Sequence, residues 1–177
     1  MLLLNRLKQF WHALFSQVGP EETAFIKKYL DAREQSLFWA MDRPTQTHCI
    51  RVARTCLNLL KNCQTLEVNQ NILLKSALLH DLGKPARLIK TRDRVLIVIL
   101  STLAPALYQY ILQGKLGQGR FYRAAAAHAN HCLAGARRAE QAGLPPAVIY
   151  LIANHHRPEQ AGDPPELTLL RQADALN

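Results

Sequence analysis

An imidazole and a carboxylate stand side by side at His80-Asp81, directly after the apolar run ILLKSALL. Such a pair at a helix end can bind a borderline or hard divalent metal ion, although Asp81 would also serve as a simple cap for the next element. Lys84 follows three residues later. Beside a metal it would hold a phosphate oxygen or give a proton to a leaving group, whereas an isolated lysine there would be solvated surface. His48 sits among Ile50, Val52 and Leu57 and reads either as a hydrogen-bonded core histidine or as a ligand. His128 and His131, three apart, are expected to share one helix face. His155 and His156 close the apolar run VIYLIAN; neighbours on a helix point about 100° apart, so the two can take different roles. Asp174, in RQADALN, would supply the carboxylate that completes a site begun by His48, His80 and Asp81. His12 is the one histidine outside these groupings.

The elements that must position these residues read as helices. Leu, Ala, Arg and Gln dominate, and the one β-favouring stretch, VLIVIL, lies inside an apolar run too long for a single strand. Residues 3–17 are predicted as an amphipathic helix stopped by Gly19-Pro20. A second helix is predicted over 21–31, with its continuation into 33–41 left open. A long helix starts near Pro44, helped by Asp42, Thr45 or Thr47, and runs to Cys63. Residues 69–79 form the next, and Gly83 and Pro85 enforce its exit. The basic stretch 84–94 reads as a loop or short helix. The uncharged segment 95–112 reads as a buried helix, or as two broken at Pro105. Residues 121–141 are predicted as one helix closed by Gly143. A helix from Pro145-Pro146 to His155-His156 and a last one from Leu167 follow. Short connections between such helices imply an all-α bundle.

Composition narrows the partners. The chain has 177 residues, 49% hydrophobic and 20% charged, with a formal net charge of +9. That is enough for one core, and the composition is not that of a disordered chain. Fifteen Lys/Arg against eight Asp/Glu fall in the first 94 residues, and Arg87, Lys90, Arg92 and Arg94 extend the charge of Lys84. A basic surface favours phosphorylated metabolites, nucleic acid or an acidic membrane face. No zinc finger or aromatic-rich RNA motif accompanies it, so nucleic acid is not the expected partner. The N-terminus lacks a cleavage site, and residues 95–112 contain Pro105 and several polar groups. No transmembrane span is expected, while the N-terminal helix is compatible with peripheral membrane contact. A homo-oligomer is compatible with this composition. Cys49, Cys56 and Cys63, spaced by seven, suit one buried helix face, and with Cys132 they form no secreted disulfide pattern. A reducing cytoplasm is the expected setting.

The single His48, HDLGK at 80–84, His131 in HCLAGA, His155-His156 and a distal Asp174 in ADAL together resemble the HD superfamily of metal-dependent phosphohydrolases. The resemblance spans His48 to Asp174. It implies a compact multi-helix HD-like bundle over residues 41–177, with 1–40 as an N-terminal helical extension packed on it. It implies His48, His80, Asp81 and Asp174 as the basic metal set. His131, His155 and His156 are placed like the extra ligands of two-metal members, and Lys84 like the lysine of their HDxGK motif. The resemblance does not extend to the group that cleaves cyclic dinucleotides: RPEQAGDPP after His155-His156 has neither the acidic residue directly after the pair nor the Gly-Tyr-Pro motif.

The expected activity is hydrolysis of a phosphomonoester or phosphodiester, a nucleotide or another small phosphorylated substrate, by metal-activated water. Asp81 and Lys84 would be its catalytic pair. One or two divalent ions are expected, with Mn, Fe, Mg, Ni and Zn not distinguished, although the histidine count argues against an all-oxygen magnesium cage. The rival is a non-catalytic metal- and nucleotide-binding regulatory module; a nucleic-acid-associated structural protein has only the charge in its favour.

Overall fold

Helix-forming composition and frequent capping signals resolve into ten helices in a computed structural model, which describes residues 18–62, 67–84 and 91–177. They are α1 (Pro20–Tyr29), α2 (Ala32–Trp39), α3 (Arg43–Asn62), α4 (Gln70–Leu79), α5 (Thr91–Leu103), α6 (Pro105–Leu112), α7 (Arg120–Ala129), α8 (His131–Gln141), α9 (Pro146–Asn154) and α10 (Pro165–Ala175). No strand occurs among the described residues. The fold is all-α. The expected helix over 3–17, Cys63, and Arg87 and Lys90 of the basic stretch lie outside the described residues, as do the side chains of Arg92 and Arg94.

The organising element is α4. Leu73, Leu74, Ser76, Ala77, Leu78 and Leu79 are all buried, so this helix is covered on nearly every side, as a run this apolar requires. Asn69 starts it by accepting a hydrogen bond from the Ile72 amide at 3.1 Å. Around it pack α1, α2, α3, α9 and α10. From α3 come Cys49, Val52, Ala53 and Cys56, an i, i+3, i+4, i+7 stripe with no exposure. Asp42 caps that helix, its carboxylate accepting from the Thr45 amide at 3.0 Å. Ile26, Leu30 and Phe38 bring α1 and α2 into the same core.

One expected long helix is divided, and one junction left open by the sequence resolves as a break. The stretch 21–41 forms two helices because Asp31 and Glu34 form a reciprocal capping box: the Glu34 amide donates to Asp31 Oδ1, and the Asp31 amide donates to Glu34 Oε2, both at 2.9 Å. Glu34 Oε1 also pairs with Lys75 Nζ at 2.5 Å, which fastens α2 to α4. The stretch 121–141 breaks at Asn130, whose φ of −101° and ψ of 7° leave the helical region. His128 and His131 therefore sit on consecutive helices, not on one face of a single helix. The segment 95–112 divides at Pro105, and no helix among the described residues is long and apolar enough to cross a membrane. With α7, these two helices enclose a separate small apolar cluster of Ile97, Tyr108, Ile111, Ala124 and Ala125.

The close of α8 is conformational. Gly143 has φ +71°, its amide donates to Glu140 O, and the Leu144 amide donates to Ala139 O, the paired bonds of a Schellman cap. Gly83 is different. Its backbone needs no left-handed conformation, but a Cβ there would lie 1.9 Å from His131 O and 2.5 Å from the Gly135 amide nitrogen. The glycine of HDLGK is therefore a contact residue, letting the turn after α4 touch the start of α8.

Candidate metal centre

That contact brings the end of the buried central helix against the starts and ends of its neighbours. His80 and Asp81 follow α4, and Leu82 O accepts from Arg138 Nη1 at 2.9 Å, which holds the turn to α8. His48 comes from the second turn of α3, His131 opens α8, His155 caps the C-terminus of α9, and Asp174 lies in the last turn of α10. His80, Asp81, His131 and His155 are no more than 3% exposed.

The histidines are oriented by their own backbone. His80 Nδ1 lies 2.9 Å from Ala77 O, His131 Nδ1 2.6 Å from His128 O, and His155 Nδ1 2.8 Å from Ile152 O. A carbonyl only accepts, so each Nδ1 carries the proton and each Nε2 is the atom turned to the site. This is how a protein presents imidazoles to a cation.

Asp81 divides the cluster in two. Its Oδ2 lies 3.4 Å from His80 Nε2 and 3.7 Å from His48 Nε2; its Oδ1 lies 3.3 Å from His131 Nε2 and 4.0 Å from His155 Nε2. Asp174 Oδ1 joins the first side, 2.9 Å from His48 Nε2 and 3.6 Å from His80 Nε2. Lys84 Nζ donates to Asp81 Oδ2 at 2.5 Å. Two donor groupings result, each with ligand atoms within 4.8 Å of one another: His48, His80 and Asp81, and His131, Cys132, His155 and His156.

Every site residue expected from the sequence thus lies in one cluster. His128 stands at its edge, its Nδ1 bound to Tyr108 Oη at 3.1 Å and its ring 5.7 Å from that of His131. Cys132 is the residue that sequence reasoning missed. Its Sγ is 3.6 Å from His131 Nε2 and 3.8 Å from His155 Nε2. The signal was available as a thiol adjacent to a candidate ligand.

Charge and burial set opposing demands here. Burial holds His48 below the ordinary imidazole value, although Asp174 pulls it up. It also holds His155 well below that value and His156 at about 4. At His80 and His131 burial acts the same way, but Asp81 outweighs it; His80 is held well above the ordinary value and His131 at about 9. Burial would raise Asp81, yet Lys84 and His80 keep it well below the usual carboxylate range. Burial likewise opposes the ionisation of Asp174, and His48 and His80 prevail. Two anionic carboxylates thus sit in a site from which water is largely excluded, and they draw positive charge into it.

Two buried atoms, His80 Nε2 and Asp81 Oδ1, have no hydrogen-bond partner. Orphaned polar atoms at such depth cost about 1–3 kcal/mol each. His80 Nε2 faces the first grouping and Asp81 Oδ1 the second, so a cation in each would satisfy both atoms, and a donor set of imidazoles, carboxylates and one thiol suits borderline transition ions. The residues present fit a metal.

An all-helical fold with a buried histidine–aspartate centre at the end of its central helix defines a class of metal-site proteins. The family model for the HD domain matches residues 45–177, and the chain belongs to this family, the HD superfamily of metal-dependent phosphohydrolases. No curated protein and no solved structure matches the chain significantly.

Proposed function

We propose that this protein hydrolyses a small phosphorylated substrate, a phosphomonoester or phosphodiester with nucleotides among the candidates, by metal-assisted attack of water. The observation that carries the reading is the placement of Asp81, one carboxylate oxygen turned to each histidine grouping. His48, His80, Asp81 and Asp174 would hold one divalent ion, and His131, His155 and His156, sharing Asp81, a second. Bound there, the ions supply Lewis acidity and lower the pKa of water.

The chain's own residues do the rest. The carbonyls of Ala77, His128 and Ile152 fix the imidazole tautomers. Lys84 stays an ammonium: burial opposes its charge, but Asp81 raises its pKa. Its side chain is 27% exposed, so it reaches from the carboxylate towards the opening and can offset charge developing on a phosphate. His156, exposed beside buried His155, stands where a substrate would enter. Residues 41–177 would form the catalytic unit, with 1–40 a helical extension, acting in a reducing cytoplasm.

The test is metal analysis of protein purified without added metal, paired with a panel of phosphatase and phosphodiesterase substrates after loading with Mn, Fe, Ni, Mg or Zn. Bound metal with turnover of at least one phosphate ester is expected. Bound metal without turnover would replace this reading with the regulatory module, and neither metal nor turnover would remove both.

A further inference from the structure

The two donor groupings are chemically unequal. The first offers nitrogen and oxygen only; the second includes sulfur. The geometry points to Cys132 as a thiolate ligand in the second grouping, adding one sulfur to the nitrogens of His131, His155 and His156 beside the shared Asp81 oxygen, in a subsite selective for zinc, ferrous or cobaltous ion over magnesium or manganese. This inference rests on the metal reading above and concerns one residue which that reading does not use.

Distances support it. Zinc–sulfur and zinc–nitrogen bonds of about 2.3 and 2.05 Å at a tetrahedral angle separate sulfur from nitrogen by about 3.6 Å. Cys132 Sγ lies 3.6 Å from His131 Nε2 and 3.8 Å from His155 Nε2. The His131 and His156 rings are 5.0 Å apart, and those of His155 and His156 4.3 Å. One donor atom from each of the four residues falls within 4.8 Å of the others, a spread from which the four can converge on one ion.

An independent observation also points to a ligand. Asp81 Oδ1, on a side chain only 1% exposed, has no hydrogen-bond partner and faces this grouping through His131 and His155. Cys132 is the second residue of α8, directly after His131, so the fixed start of that helix sets its sulfur beside the histidine donors. Ligation would release the thiol proton to solvent as the sulfur–metal bond forms. Thiolate is a poor ligand for magnesium or manganese and a good one for zinc, ferrous or cobaltous ion. The other described cysteine near the centre, Cys49, lies 3.8 Å from His80 Nδ1, the nitrogen already engaged with Ala77 O, and so approaches from behind the donor face.

The experiment is a cobalt(II) titration of the full-length, metal-stripped protein, followed by absorption spectroscopy. The wild type is expected to take up two equivalents and to show a near-ultraviolet thiolate-to-cobalt charge-transfer band. Cys132→Ser and Cys132→Ala, checked for native helical circular dichroism, should lose that band, keep the visible ligand-field bands of the first subsite, and weaken zinc binding at one site by at least about tenfold. Two equivalents without a charge-transfer band in the wild type, or a band that persists in both variants, would overturn the thiolate assignment and leave the metal reading standing. Failure of the wild type to bind any cobalt or zinc would overturn both. Because the wild-type band is itself diagnostic, the result does not depend on either variant folding.

Discussion

The core around α4 and the cluster formed by α5, α6 and α7 use similar apolar material to different ends. The first wraps five helices around a buried sixth, and seven of the eight residues assigned to the centre from sequence come from these helices or the turns at their ends; the eighth, His131, opens α8, which packs on α9. The second closes over five buried residues and leaves Leu96, Leu103, Leu107 and Tyr110 at least 40% exposed. Precise placement of ligand atoms needs helices locked on several sides. A thin layer locked on one side cannot supply that; it meets the centre through α7, where the His128 carbonyl accepts from His131 Nδ1 at 2.6 Å and the His128 ring meets Tyr108 Oη.

The strongest way to break this comparison is through metal content. Asp81→Ala removes the carboxylate shared by both groupings, and affinity for divalent ions should fall by at least about 100-fold. His128→Ala, on the side of the satellite cluster, should leave metal stoichiometry unchanged. Equal losses by inductively coupled plasma analysis would place His128 inside the centre and erase the distinction.

Next in size is Gly83→Ala. The three atoms nearest the added Cβ are all backbone, His131 O and C and the Gly135 nitrogen, all within 2.8 Å, so moving a side chain cannot relieve these clashes. A cost of about 3 kcal/mol or more is expected, a large share of ordinary stability. Thermal unfolding reads it directly; a near-wild-type Tm would mean that the turn after α4 does not touch α8.

These two residues also mark what could be read in advance. HDLGK was conspicuous because its chemistry is contiguous, and the all-α class followed from composition and helix-forming patterns. His48 and Asp174 lie 126 positions apart and acquire meaning only once α3 and α10 cross beside α4. The steric role of Gly83 was hidden because it depends on a tertiary approach, whereas a glycine after a helix ordinarily signals a left-handed cap. The break at Asn130 was hidden for a local reason: AAAAHA before it and HCLAGA after it both favour helix, and nothing in that run is a strong stop signal. The break before α2 was legible in principle, since Asp31 and Glu34 have capping-box spacing.

Core truncations sharpen the comparison further. Leu74 has no exposure and lies in the middle of α4, so Leu74→Ala should cost about 2–5 kcal/mol in denaturant unfolding. Ile97, also fully buried, sits in the smaller cluster, where neighbours have solvent on one side and can collapse into the space. Ile97→Ala should cost less, and its effect should appear as faster amide exchange confined to α5–α7. Global destabilisation equal to that of Leu74→Ala would show that the two regions unfold as one.

The smallest expected effect concerns the loop between α9 and α10, which sets His155 and His156 relative to Asp174. Asp163 gathers it: Oδ1 pairs with Arg157 Nη2 at 2.5 Å, and Oδ2 with Arg171 Nη1 at 2.8 Å and the Gln160 amide at 3.0 Å. Arg171 Nη2 also donates to Asn154 O, tying α10 to the end of α9. The hydrogen bond from Arg171, followed by those from Gln160 and Arg157, lowers the Asp163 pKa to about 2. The unfolded carboxylate titrates near 3.9, so the folded state binds its proton later than the unfolded state does. The stabilisation is therefore fully present above about pH 4 and is lost as pH falls towards about 2. Asp163→Asn should be less stable than wild type at neutral pH by an amount that shrinks steadily across that interval. The satellite cluster holds an Arg120–Asp93 pair with Arg120 half exposed, and Arg120→Gln there should shift stability by no more than about 1 kcal/mol at any pH. Acid titrations of urea midpoints for the three proteins measure both: a wild-type curve that stays parallel to that of Asp163→Asn from pH 5 to pH 2 would show that the carboxylate does not hold the loop through its charge.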